Sequence, residues 1–138
     1  MIGQTIKIIG LALQIQVPGI MSSICWIESS YRNVVNRDDG GSPSYGLCQI
    51  KENTANWMKE LHRIPGPALT EEELMKPEVN IFYSSLYFKY QYKRYKGNLE
   101  CAISAYNAGR CIRQNKRTYV RKVLRHYEKS NKMCVDTN

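Results

Sequence analysis

Histidine occurs only twice, at His62 and His126, far apart and with no other ligand type beside either. A metal centre needs clustered His, Cys or carboxylate ligands, so neither a metal nor a cofactor is expected. The five cysteines, Cys25, Cys48, Cys101, Cys111 and Cys134, form no close pair and show no metal-site spacing. A thiol nucleophile needs a base beside it, and no motif around either histidine supplies one. The serine nucleophile elbow is missing too. No apolar run approaches the length of a membrane span. No zinc-finger spacing, nucleic-acid-binding motif, internal repeat or low-complexity segment is visible. These absences argue against metal, thiol and serine catalysis, against a membrane span, and against a nucleic-acid partner.

Acidic residues are also scarce relative to basic ones: 12 Asp and Glu against 20 Lys and Arg, a net charge of +8. The excess lies late in the chain, from Lys89, Lys93, Arg94 and Lys96 to Arg110, Arg113, Lys116, Arg117, Arg121, Lys122 and Arg125. Such a surface suits a polyanionic partner. With 43% hydrophobic and 23% charged residues over 138 positions, the composition is that of one ordinary globular domain. In an oxidising compartment the cysteines allow two disulfides and one free thiol, with the pairing open. Cys25, in an apolar helix, reads as a small apolar filler.

The leading segment carries Ile8, Ile9, Leu11 and Leu13 behind Lys7, like a short signal peptide. Gln14 and Gln16 interrupt it and no small-residue cleavage site follows. Ile2, Ile6, Ile9 and Leu13 have helical spacing, so the segment is expected to be an amphipathic helix ending before Pro18. Export then uses another route, or a leader has been removed. Residues 33–46, NVVNRDDGGSPSYG, predict an irregular loop or small β-hairpin around Gly40 and Gly41. A helix follows in ENTANWMKELHR, with Asn53 or Thr54 as cap and Trp57 and Leu61 facing inward. Thr70 and Glu73 have capping-box spacing. Residues 80–98 fit a helix whose tyrosines form a core face, stopped by Gly97. Asn98 and Gly109 bracket the next, and TYVRKVLRHYEKS carries Tyr119, Val120, Val123, Leu124 and Tyr127 as its apolar stripe. Residues 128–138 read as a flexible tail, loose from Lys132. The class is mainly α (α+β), about five to seven helices around one glycine-rich hairpin.

Within this plan the run ICWIESSY, residues 24–31, places Glu28 four residues beyond Ile24 and eight beyond Ile20. Glu28 therefore shares their apolar face. A buried carboxylate needs a cationic partner or a use, and the helix alone leaves both open. Burial would raise its pKa and suit it to general-acid work on a glycosidic bond. Such cleavage usually employs a second carboxylate, for which Asp38 and Asp39 are the nearby candidates.

Four ordered segments, ESSY at 28–31, SYGLCQI at 44–50, NI at 80–81 and AYNAG at 105–109, resemble the soluble-lytic-transglycosylase-type domain of the lysozyme-like superfamily, related to goose-type lysozymes. The resemblance is strongest over residues 17–127 of a single domain spanning 1–138. It implies a lysozyme-like fold and cleavage of the β-1,4 bond between N-acetylmuramic acid and N-acetylglucosamine in peptidoglycan. Glu28 matches the family's catalytic acid, and the muramoyl 6-hydroxyl would then close a 1,6-anhydro ring. Tyr106 matches the tyrosine near that acid, with its hydroxyl orienting the acid or stabilising developing charge. Gly46 would admit the sugar chain close to the backbone, and Gln49 would bond a sugar substituent or brace the hairpin. Asn107 reads as a clamp on the helix end or a substrate contact. Ser29 and Ser44 read as hydrogen-bonders at the substrate or behind it.

Three positions depart from the family pattern. Cys48 replaces a usual Met and shrinks the pocket, Ser84 replaces a small Gly, and Tyr45 replaces a frequent Ala and adds a stacking surface. Rival readings are a lysozyme-type hydrolase with Asp38 or Asp39 positioning water, and a non-catalytic wall-binding module. The implied setting is the bacterial periplasm, the cell envelope or the exterior. The short format favours a monomeric phage lysin or a wall-drilling component of a secretion or conjugation machine over a remodelling enzyme.

Overall fold

A computed structural model describes residues 2–13 and 17–136. Gln14 and Gln16 and the last two residues of the expected tail lie outside them. Helix α1 (Ile2–Ala12) leads into α2 (Pro18–Ser29), then strands β1 (Val35–Asp39) and β2 (Ser42–Tyr45), α3 (Glu52–Leu61), α4 (Glu71–Leu74), α5 (Pro77–Arg94) and α6 (Leu99–Ala108). A short α7 (Arg113–Asn115), a π-helical turn (Lys116–Val120) and α8 (Arg121–Asp136) follow. The mainly helical class with one small hairpin is as expected. No described helix is long and apolar enough to cross a membrane.

The helix signals largely operate where the sequence places them. Pro18 and Pro77 occupy first-turn positions, where a missing N–H and a fixed φ are tolerated. Thr70 and Glu73 form the capping box of α4. The Asn98 side chain accepts from Cys101 N at 3.0 Å, and Gly109, at φ 80°, closes α6 in left-handed backbone.

Helix α5 is the axis of the fold. Ile81, Leu86 and Phe88 are buried on it together with Asn80, Ser84, Ser85 and Gln91, so burial is not confined to one stripe. Tyr83 and Tyr87 join this core, as the sequence predicts. Ile20, Met21 and Ile24 of α2 pack with Ile6, Ile103, Val120 and Val123 in the same cluster.

Three expectations are corrected. Helix α3 starts at Glu52 behind an extended Lys51, not behind Asn53 or Thr54. Its buried face is Ala55, Met58 and Lys59, so Trp57 and Leu61 lie on the other ridge, 42% and 50% exposed. Cys25 is no mere filler: it is bonded to Cys48, tying α2 to the turn after β2. Cys101, in the first turn of α6, pairs with Cys111 in the segment after the helix, and the side chain of Cys134 is not among those described.

Candidate active site

Glu28 sits in the last turn of α2, which ends as Ser30 enters left-handed backbone at φ 56°. Its carboxyl faces a cavity of about 290 Å³ walled by Asp39, Gln49, Lys51, Thr54, Tyr87, Tyr106 and Asn107, among others. The one ion pair among the described residues is Arg37–Glu71, on the surface, so Glu28 has no cationic partner among them. The Tyr119 hydroxyl donates to Glu28 Oε2 at 2.8 Å. Burial pushes the Glu28 pKa from 4.5 to about 7; Tyr119 opposes the shift, the charge of Asp39 adds to it, and Asn107 opposes it weakly. The raised pKa follows from the low-dielectric setting, which disfavours the charged form.

The hairpin decides between the two aspartates. Val35 pairs with Tyr45 and Asn36 with Ser44, but Asp39 pairs with Ser42, so the register slips by one residue between Asn36 and Asp39. Pro43 stands opposite the extra residue, where its missing N–H is harmless. Side chains alternate faces along a strand, so a one-residue bulge reverses the face of everything beyond it. Asp39 thereby joins the face of Ser42 and Ser44, and the buried Ser44 hydroxyl donates to Asp39 Oδ2. Asp38 is left exposed and outside the cavity wall. Gly40 and Gly41, at φ 65° and 93°, make the two-residue turn, which needs positive φ at both positions. Lys51 donates to Asp39 O and, at 2.8 Å, to Ser42 Oγ, bracing the hairpin from inside the cavity.

Other expected contacts go elsewhere. The Ser29 hydroxyl is buried and donates to Leu47 O at 2.6 Å, fastening α2 to the turn rather than reaching the cavity. Tyr45 is 5% exposed and offers no stacking surface. A Cβ on Gly46 would come within 2.3 Å of Asn80 Nδ2, so what approaches Gly46 is a buried asparagine and not a sugar. Asn80 takes the Cys48 N–H at 2.9 Å and donates to Tyr45 O and Leu74 O. Gln49 lines the cavity while its amide donates to Val34 O and Gly46 O, both at 2.9 Å, so it braces the hairpin. The Tyr106 hydroxyl donates to Cys48 O at 2.7 Å and not to Glu28; burial first, then the charge of Glu28, pushes its pKa far up. Asn107 Oδ1 accepts from Asn115 at 2.8 Å, a clamp between α6 and α7 that holds this side chain on the cavity wall.

Sequence reading missed Tyr119, which it assigned to an apolar stripe. The hint was there: Tyr119 and Val120 are neighbours, and one narrow helical stripe does not hold both. The π-helical turn directs Tyr119 at Glu28 while Val120 is buried in the core. Because this hydroxyl lowers the Glu28 pKa, Tyr119→Phe is expected to move the alkaline limb of the pH–activity profile upward, by up to about one unit. A profile of kcat/KM against pH reads this directly. A limb that stays put or moves down would contradict it.

The helical core and the cavity together define a lysozyme-like domain whose cavity holds the half-buried Glu28 carboxyl beside that of Asp39. The chain belongs to the Transglycosylase SLT domain family, which matches residues 9–128. It is 34% identical over 82 residues to the soluble lytic murein transglycosylase of Escherichia coli K12, covering 59% of this chain and 12% of that one. The protein of the same description from E. coli O157:H7 matches equally. The crystal structure of the 70 kDa soluble lytic transglycosylase from E. coli superposes with a TM-score of 0.59 and 28% identity, over 78% of this chain and 16% of that one. Its complex with bulgecin A gives 0.59 and 29%, with the same coverage. The chain thus spans about an eighth of the curated relatives it matches.

Proposed function

We propose that this domain is a peptidoglycan lytic transglycosylase, cleaving the β-1,4 bond between N-acetylmuramic acid and N-acetylglucosamine at the cell envelope. The observation that carries the reading is the Glu28 carboxyl, cavity-facing, without a cationic partner among the described residues, and with a pKa raised to about 7 by burial. A carboxyl half protonated near neutrality serves as both acid and base. Glu28 donates its proton to the bridging oxygen as the C1–O bond breaks and the N-acetylglucosamine hydroxyl departs. The resulting carboxylate then takes the proton of the muramoyl 6-hydroxyl as that oxygen bonds to C1. The product is a 1,6-anhydro ring, no water is consumed, and Glu28 ends protonated as it began. One carboxylate suffices because the nucleophile belongs to the substrate and is held at high effective concentration.

Asp39 on the same cavity wall favours a second reading, hydrolysis with Asp39 positioning a water. The mass of the muropeptides released from purified peptidoglycan separates the two: transglycosylation gives ends one water lighter than hydrolysis. We expect anhydro ends, and near-parental turnover for Asp39→Asn. That variant also removes a charge that raises the Glu28 pKa, so its alkaline limb should move slightly down. Reducing ends that disappear with Asp39→Asn would instead establish the hydrolase.

A further inference from the structure

The cavity around Glu28, at about 290 Å³, is near the lower end for small-molecule sites. A glycosidic bond inside a polymer has sugars on both sides, so a strand cut there must continue over the surface beyond the cavity. Thr54 and Tyr87 belong to the cavity wall, and beyond them lies aromatic surface. Trp57 lies three residues beyond Thr54 on α3, 42% exposed, with Leu61 one turn further at 50%. The Trp57 ring meets Tyr90 edge-on, with centroids 4.7 Å apart and planes at 70°. It meets Tyr87 at 6.3 Å and 64°, and Tyr87 in turn lies 5.5 Å from Tyr106. The rings thus run without interruption from the cavity outward.

Held against the tyrosines of α5, Trp57 is an indole with much of its surface open to solvent. Neither its burial nor any hydrogen bond explains it, whereas the core face of α3 is fully supplied by Ala55 and Met58. We propose that Trp57, supported by Tyr87 and Tyr90, is a stacking platform for the apolar face of an N-acetylated pyranose, one or more residues along the strand from the scissile bond. The platform selects for length of glycan and does not touch the reacting atoms. It lies outside the cavity wall, so it extends the site around Glu28. The inference rests on the glycan-cleaving reading only for the identity of the strand.

Binding can be measured apart from turnover. In a Glu28→Gln, Trp26→Phe background Trp57 is the sole tryptophan, and its fluorescence reports contact with a hexasaccharide of N-acetylglucosamine. The expected result is a saturable change in emission. Trp57→Ala should weaken hexasaccharide binding, followed by calorimetry, about tenfold, with binding of the disaccharide unchanged. Trp57→Phe should restore most of the loss. In the otherwise parental enzyme, Trp57→Ala should raise KM on long strands and leave kcat nearly intact. Equal hexasaccharide affinity for Trp57 and Trp57→Ala, or a loss equal for short and long sugars, would overturn the platform. Failure of the catalytic reading shows separately, as unchanged wall turnover in the single Glu28→Gln variant.

Discussion

Replacing Glu28 by Gln should lower peptidoglycan turnover by roughly 10²- to 10⁴-fold, the usual contribution of a positioned acid–base group, and should make the protein more stable at neutral and alkaline pH. Both effects have one cause. The carboxyl is kept protonated up to about pH 7, against 4.5 when unperturbed, so the folded chain binds this proton more tightly than the unfolded one. Below about pH 4.5 both states carry the proton and Glu28 is neutral in its effect. As the pH rises through that value the unfolded chain ionises first, and stability declines until the folded carboxyl has ionised as well, above about 7. The shift corresponds to a loss of up to about 3 kcal/mol. Glutamine has the same shape and never ionises, so the loss should vanish. Urea unfolding of parent and variant should therefore coincide near pH 4 and diverge by pH 8, with the variant more stable. A variant less stable than the parent at pH 8 would mean that Glu28 is held by favourable contacts to its charged form, and that the acid role is misassigned. Wall turnover equal to that of the parent would leave only a binding module.

The second large effect is expected from the Cys25–Cys48 bond. It closes a 23-residue loop, and the chain-entropy model assigns such a cross-link about 3 kcal/mol. Both partners are fully buried. The segment it anchors also receives the Tyr106 hydroxyl on Cys48 O, the Ser29 hydroxyl on Leu47 O, and offers the Cys48 N–H to Asn80. The double variant Cys25→Ala, Cys48→Ala should therefore lose about 3 kcal/mol in urea unfolding. Its folded fraction should also turn over wall more slowly, because Gln49 lines the cavity from this anchored segment and Tyr106, also on the wall, is bonded to it. The Cys101–Cys111 bond, with a sequence separation of 10, ties the first turn of α6 to the segment that follows the helix, and neither cysteine lines the cavity; removing it should leave the turnover of the folded protein close to parental. If breaking Cys25–Cys48 changed neither quantity, the hydrogen bonds alone would be sufficient to hold the hairpin on the acid's helix.

Much of this was legible in the chain because it is local. Helical spacing placed Glu28 among Ile20 and Ile24, and that placement requires only the pitch of a helix. Caps at Thr70, Asn98 and Gly109 likewise involve residues a turn apart. Trp57 was misread for a related reason: an apolar residue at plausible spacing looks the same from sequence whether its ridge meets the core or solvent, and the actual start of α3 at Glu52 decides which.

The sequence by itself determined a mainly helical domain, its hairpin, and a carboxyl group on an apolar face, since all three depend on periodicities of a few residues. Only the tertiary structure decided what surrounds that carboxyl. Tyr119 reaches it from 91 positions away, Cys25 finds Cys48 across the hairpin, and a one-residue bulge presents Asp39 instead of Asp38. Strand side chains alternate with a period of two, so a slip too small to leave any mark in composition exchanges one neighbour for the other. Contacts between distant segments exist only once the core has brought those segments together.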